Sequence, residues 1–194
     1  MTEQLTAERV LDTAEDVLRR YGPAKATVVD VARALGVSHG TVYRHFATKA
    51  ALREAVAERW LLRTSVPMAA IADDASVPAP ERLRRWVRAL NATKRRYAAD
   101  DPELHHTFRQ LVGDQTGIVT AHEDELAGQL TRIIAAGVAA GELTAADPAT
   151  AGRAVFQATA RFHHPAHSAD WTLPGNDADL DAVVDLILAG LAPR

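Results

Sequence analysis

Residues 27–52 read TVVDVARALGVSHGTVYRHFATKAAL. The pattern is two short amphipathic helices on either side of a tight turn. Thr27 can cap the first helix through its hydroxyl, and Asp30, three residues on, can reach back to complete a capping box. Val28, Val31, Ala32 and Leu35 then recur at helical spacing and make one apolar face. Gly36 ends this helix, since a left-handed residue costs little without a Cβ. Val37 turns back toward the core, and Ser38 can cap a second helix over His39–His45. Val42 and Phe46, four apart, anchor that helix.

The other residues of the second helix are not needed to join two helices. His39, Gly40, Thr41, Tyr43, Arg44 and His45 are polar, cationic or small. Gly40 weakens a helix by about 1 kcal/mol against Ala, and close approach to another surface is the usual compensation. A helix, a glycine-containing turn and a second helix tipped with hydrogen-bonding groups form the helix-turn-helix pattern of duplex DNA binders. Thr48 caps a third helix with Lys49 in its first turn. A cation there opposes the helix dipole, unless a phosphate docks at that N-terminus. Between Leu18 and Arg53 seven cations (Arg19, Arg20, Lys25, Arg33, Arg44, Lys49 and Arg53) face the single carboxylate of Asp30, while the whole chain carries −3. A basic island on an acidic chain is an electrostatic footprint for nucleic acid.

The run Thr27–Ala32, then Gly36–Phe46 with its Tyr43-Arg44-His45-Phe46 ending, then Lys49–Leu52, resembles the DNA-binding domain of the TetR family of transcriptional regulators. The resemblance covers roughly the first 60 residues. It implies an all-α chain, with an N-terminal three-helix helix-turn-helix domain over 1–47 and a C-terminal helical ligand-binding and dimerisation domain over 48–194. It implies a homodimer on double-stranded DNA, repressing until a small-molecule effector releases it. In such a dimer the third capped helix links each DNA-binding head to its body, and its movement changes the spacing of the two heads. The groove-facing candidates are Ser38, His39, Thr41 and Tyr43, whose hydroxyl and imidazole groups can read base edges. Gly40 permits the approach. Thr27, Arg44, His45 and Lys49 are the phosphate candidates that set register.

Composition bounds the alternatives. With 194 residues, 47% apolar and 24% charged, the chain can bury a sizeable core. The absence of cysteine excludes disulfides, thiolate metal sites and cysteine nucleophiles. The start MTEQLTAERV lacks a secretory pattern, and no window nears 18 apolar residues. A cytoplasmic protein without membrane contact is the expectation. No nucleophile–base pair stands at motif spacing, so an enzyme is not expected; a metal-assisted hydrolase is the rival of another class.

Before the quoted stretch, Thr6 caps a helix whose inner stripe is Val10, Leu11, Ala14, Val17, Leu18 and Tyr21, stopped by Gly22-Pro23. After it, the third capped helix is expected to run to about Arg63, followed by a loose end and a loop closing at Pro78–Pro80. A long helix from Glu81 has Leu83, Trp86, Val87, Leu90 and Tyr97 inside. Arg84, Arg85, Arg88, Lys94, Arg95 and Arg96 form its expected outer face, with nucleic-acid binding there as a lesser alternative. Asp100-Asp101-Pro102 should end it. A short helix over Pro102–Gly113, the longest over Thr116–Ala140, and two more over Pro148–Phe162 and Ala178–Leu191 complete the pattern. For the last pair, one small-faced and one with an apolar stripe from Leu180 to Leu191, the resemblance implies a dimer interface, the alternative being an intramolecular core.

Six of the eight histidines lie in the C-terminal part: His105, His106, His122, His163, His164 and His167. Three readings remain open for them. They are surface or capping groups, the polar lining of an organic effector site, or ligands of a divalent metal in a metal-responsive regulator. The metal candidates are His105, His122, His163 and His167, although their spacing fits no standard motif. The effector-site candidates are Trp86, His105, His106, Phe108, His122, Phe156, His163 and His167, with the aromatics as an apolar wall. No cofactor is certain from the residues; a small organic effector or a divalent metal are the two options.

Overall fold

Every regular element among the described residues is helical. The computed structural model describes residues 5–100, 106, 109–111 and 116–193. The helices are α1 (Ala7–Lys25), α2 (Val28–Leu35), α3 (His39–Tyr43), α4 (Lys49–Ala72), α5 (Ala79–Asp100), α6 (Thr116–Ala139), α7 (Pro148–Ala158) and α8 (Asn176–Leu191). Two 3-10 turns, Ala160–Phe162 and Pro165–His167, lie between α7 and α8. Most of the short helix expected over Pro102–Gly113 lies outside the described residues.

The chain divides into two compact units. The head holds the residues up to Leu62, joined by Leu111 and Ile118; the body holds Arg63–Asp100 and the residues from Thr120 onward. The division falls after Leu62, where the sequence reading drew it after residue 47, because Leu52, Val56 and Ala57 of α4 are buried in the head's core.

In the head the caps are those the residues dictate. Asp30 N donates to Thr27 Oγ1 (3.2 Å), and Thr27 N donates to Asp30 Oδ2 (3.1 Å), closing the capping box of α2. Gly36 ends α2 at φ 69°, a left-handed conformation that its missing Cβ allows. Ser38 Oγ accepts from Thr41 N (3.2 Å) and starts α3. Gly22, at φ 74°, breaks α1 one residue before Pro23. Val10, Ala14, Val17, Val31, Val42 and Val56 meet in the core. Arg59 of α4 donates to Glu15 Oε1 (2.8 Å) and Asp12 Oδ1 (2.7 Å), pinning α4 to α1.

α4 departs from the expectation. It does not loosen after Arg63 but continues through Pro67 to Ala72. A proline inside a helix removes the hydrogen bond to the carbonyl four residues earlier, here that of Arg63. The Tyr97 hydroxyl donates to that carbonyl instead, at 3.2 Å. Met68 and Ala72, both buried, then hold the extra turns in the body's core. Arg82 Nη1 donates to the carbonyl of Ala72 (3.0 Å), satisfying the helix's last turn.

The body's core is built from Leu83, Trp86, Leu90, Leu130, Ile133 and Val184 on α5, α6 and α8. The arginine-rich face of α5 is largely engaged in ion pairs within the body. Arg84, Arg88 and Arg95 pair with Asp185, Asp181 and Asp177 of α8 at 2.5, 2.7 and 2.6 Å. The descending order of the aspartates shows the two helices running antiparallel. Arg85 pairs with Glu81 one turn back, and Arg96 lies over the Tyr97 ring. Lys94, expected among these outer cations, is buried at 8% exposure. α7 stops at Ala158 rather than Phe162, where the chain tightens into a 3-10 turn. At Gly152 a Cβ would come within 2.6 Å of the Thr131 backbone nitrogen, so α7 crosses α6 at a separation only glycine permits.

Candidate functional site

α3 is seated by Val42, which is 1% exposed, and by the half-buried Phe46. Its opposite side therefore points outward. His39, Gly40, Tyr43, Arg44 and His45 are exposed, and the His39 and Tyr43 rings meet edge to face at 6.4 Å. This pair, one turn apart, forms a stiff aromatic tip with polar edges.

Not all predicted contact residues keep their polar groups outward. The Thr27 hydroxyl donates to Asp30 Oδ2 at 2.6 Å, and this bond is the main reason the Asp30 carboxyl titrates below its ordinary range. Ser38 Oγ is 2.9 Å from Thr41 Oγ1, which also accepts from the Arg44 guanidinium at 3.3 Å. The hydroxyls of Thr27, Ser38 and Thr41 are thus engaged in fixing helix starts. The outward groups are those of His39, Tyr43, Arg44 and His45, with Lys49 exposed in the first turn of α4. Thr48 Oγ1 accepts from Ala51 N (3.0 Å) and caps that turn.

Gly40 separates internal from external demand. A Cβ built there would meet only Ser38 Oγ, at an ordinary 3.8 Å. Nothing within the chain requires the residue to be small, so its helix-weakening cost has no compensation inside the fold. An external surface approaching α3 at backbone distance supplies one.

The histidines after the head's recognition helix scatter. His105 and Phe108 lie outside the described residues; His106 and His167 are exposed. Trp86 is sealed in the core and is not the pocket wall expected of it, its indole N–H donating to Gln129 Oε1 at 2.9 Å. The Phe156 ring stacks on His163 at 4.6 Å. His163 Nε2 donates to the Phe156 carbonyl at 3.1 Å, so that nitrogen carries a proton and is not open to a metal. Among the described residues no three of His, Cys, Asp and Glu converge as a ligand set, so His122, His163 and His167 are not gathered in one. An open cleft of about 270 Å³ lies beside Glu123, Ala127, Arg153, Phe156, Ala160 and His163.

The sequence reading missed Lys94; His122, one of its candidates, has a buried ring nitrogen. Lys94 lies inside, where burial pushes its pKa down to about 8 and Glu123 opposes the shift. Its signal was positional: 83, 87, 90, 94 and 97 continue one helical stripe, and Lys94 was set outside by residue type alone. His122 Nε2 is buried without a hydrogen-bond partner. Burial, then the charge of Lys94, push its pKa down to about 3; burial is also the main cause for His163, down to about 4. Both imidazoles are neutral at pH 7.

A helical head with an exposed, cationic helix-turn-helix tip, carried with a helical body, defines a helix-turn-helix regulator. Residues 10–56 match the family described as bacterial regulatory proteins, tetR family, and residues 79–184 match the tetracyclin repressor-like C-terminal domain. The chain belongs to the TetR family. Over 105 residues it is 33% identical to an uncharacterised HTH-type transcriptional regulator of Mycobacterium tuberculosis, covering 54% of this chain and 50% of that one. The chain thus spans about half the length of the curated relatives it matches. Its fold is similar to SmeT, the repressor of the Stenotrophomonas maltophilia multidrug efflux pump SmeDEF (TM-score 0.69, 20% identity, 98% and 92% of the two chains). It is also similar to a protein of unknown function from Rhodococcus sp. RHA1 (TM-score 0.70, 23% identity, 98% and 97% coverage). No helix among the described residues is long and apolar enough to cross a membrane.

Proposed function

We propose that this chain is a homodimeric transcriptional repressor that binds a near-palindromic operator and leaves it when a small organic effector occupies the body. The observation that carries the reading is the tip of α3: an exposed His39–Tyr43 pair beside a glycine that the fold itself does not require. In the groove, His39 and Tyr43 face base edges, while Arg44, His45 and Lys49 meet phosphates and set register. Gly40 lets the α3 backbone close on the duplex. Two such tips about one turn of DNA apart require a dimer. Leu186 of α8, 75% exposed, supports α8 as part of the interface, flanked by exposed Ala182 and Ala189. Release is a population shift: an effector that fits the non-binding head spacing better lowers DNA affinity by that difference. A triclosan complex of SmeT has been solved, and it supports a ligand site in this fold.

Selection of bound duplexes from a random pool tests the reading. A near-palindromic consensus is expected, and Tyr43→Ala should abolish its binding while leaving the dimer and its melting nearly unchanged. Equal affinity for every duplex, or a monomer at micromolar concentration, refutes it.

A further inference from the structure

Helix α4 serves both units, and the division between them falls within it, between Leu62 and Arg63. On the body side Thr64, Ser65 and Met68 are buried. Pro67 stands in the same stretch and has no N–H, so the helix cannot bond the Arg63 carbonyl. The rung missing from α4 is therefore the one at its first body residue. Bends in helices concentrate where a proline has removed a rung.

Two body side chains close on this turn. From α5 the Tyr97 hydroxyl donates to the Arg63 carbonyl at 3.2 Å. From α6 Gln129 Nε2 donates to the Ser65 carbonyl at 3.0 Å. Both donors are held. The Arg96 guanidinium lies over the Tyr97 ring, 5.6 Å from its centroid. Gln129 is fully buried; its Oε1 accepts from Trp86 Nε1 at 2.9 Å, and its Nε2 also donates to Glu125 Oε1 at 3.0 Å. The two bonds differ in what they add. Ala69 carries the N–H that an α-helix directs to the Ser65 carbonyl, so Gln129 adds a second bond there. The Arg63 carbonyl has lost its helical donor, and Tyr97 supplies the replacement.

We propose that Tyr97 is a positioning residue for operator binding: its hydroxyl stands in for the rung that Pro67 removes and stiffens α4 where the helix leaves the body, so that a dimer keeps its two recognition helices at one separation. This rests on the dimeric reading above. Tyr97 touches no DNA; it acts through α4. Half-sites at the wrong spacing can be reached only if α4 bends, and a bend that carries Arg63 away from α5 breaks the Tyr97 bond. The cost of that bond is then part of the operator's spacing preference.

Fluorescence anisotropy on the full chain tests this, with the duplex selected from the random pool and copies of it whose half-sites stand one base pair closer or farther apart. The wild-type chain should prefer the selected spacing. Tyr97→Phe should reduce that preference about two- to tenfold, the span of one neutral hydrogen bond. Adding Pro67→Ala to Tyr97→Phe should restore it, because alanine returns an N–H to the helix. A residue that served stability alone would lower the melting temperature and leave the preference where it was. An unchanged preference in Tyr97→Phe, or no recovery on adding Pro67→Ala, overturns the proposal. Hydrogen exchange needs no DNA and separates this from the dimeric reading. The amides of Val66, Met68 and Ala69 should exchange faster in Tyr97→Phe than in the wild type. A wild-type chain indifferent to spacing, with that faster exchange, defeats the dimeric reading and spares the Tyr97 rung. Unchanged exchange overturns the rung itself.

Discussion

The head and the body place their charges by opposite rules. The head keeps its tip cations on the surface, with Arg44, His45 and Lys49 exposed around a small apolar core. The body pairs its outer arginines with aspartates of α8 and places a cation, Lys94, among buried side chains. Surface ion pairs contribute little to stability, about 0–1 kcal/mol each. The head's arrangement therefore leaves charge available to a polyanion, whereas the body's outer pairs cancel charge and its Lys94 is withdrawn from the surface. Net charge alone would not distinguish the two; the location of each charge does.

Two glycines give the sharpest way to break this contrast. At Gly152 a Cβ would lie 2.5 Å from Thr131 Oγ1 and 2.6 Å from Thr131 N, and helix backbone cannot retreat cheaply. Gly152→Ala should therefore lower stability by about 1–3 kcal/mol, read from urea melts. Gly40→Ala has room inside the chain and gains helix propensity, so it should raise stability by about 0.5–1 kcal/mol. Its operator affinity should nonetheless fall, as read by fluorescence anisotropy. If Gly40→Ala binds the operator normally, close approach of α3 is wrong.

Acid should expose the body's buried bases next. His122 and His163 have folded pKa values of about 3 and about 4, below the ordinary 6.5. The unfolded chain takes up those protons first as pH falls. The stability they contribute is present above about pH 6.5 and is lost progressively as pH drops toward 4 and then 3. After burial, the charge of Lys94 pushes both imidazoles further down. Each unit of depression corresponds to about 1.4 kcal/mol. Urea midpoints should fall between about pH 6.5 and pH 4, and His122→Leu should flatten that fall. An unchanged pH slope in the variant would remove His122 from the buried set.

The head was legible in the sequence because its signals are local. Thr27 with Asp30, Gly36, and Ser38 act within four residues of the bond each makes, so spacing along the chain is spacing in space. The body's decisive contacts lie far apart in sequence. Arg88 meets Asp181, and the Tyr97 hydroxyl reaches the carbonyl that Pro67 leaves unbonded. No local pattern announces a tyrosine thirty residues away that rescues a proline, so the helix was ended near Arg63 when it runs to Ala72. Lys94 was misplaced for a different reason. Its position on the stripe pointed inward, and its charge was allowed to outweigh its position. The histidines invited a metal reading because residue type is visible before geometry, and geometry scatters them.

The smallest effects compare one cation from each region. Lys49 is exposed beside the capped start of α4, where a phosphate would meet both the side chain and the helix N-terminus. Lys49→Ala should weaken binding to all duplexes and lower the slope of log K against log salt by about 0.9. Arg88 carries the same charge but gives its Nε–H to Asp181 at 2.7 Å. Arg88→Ala should leave that slope unchanged, and a double-mutant cycle with Asp181→Ala should give no more than about 1 kcal/mol of coupling. Were Arg88→Ala to flatten the salt dependence as Lys49→Ala does, α5 would be meeting phosphate too, and the division between a head that keeps its charge open and a body that closes its own would fail at its most ordinary pair.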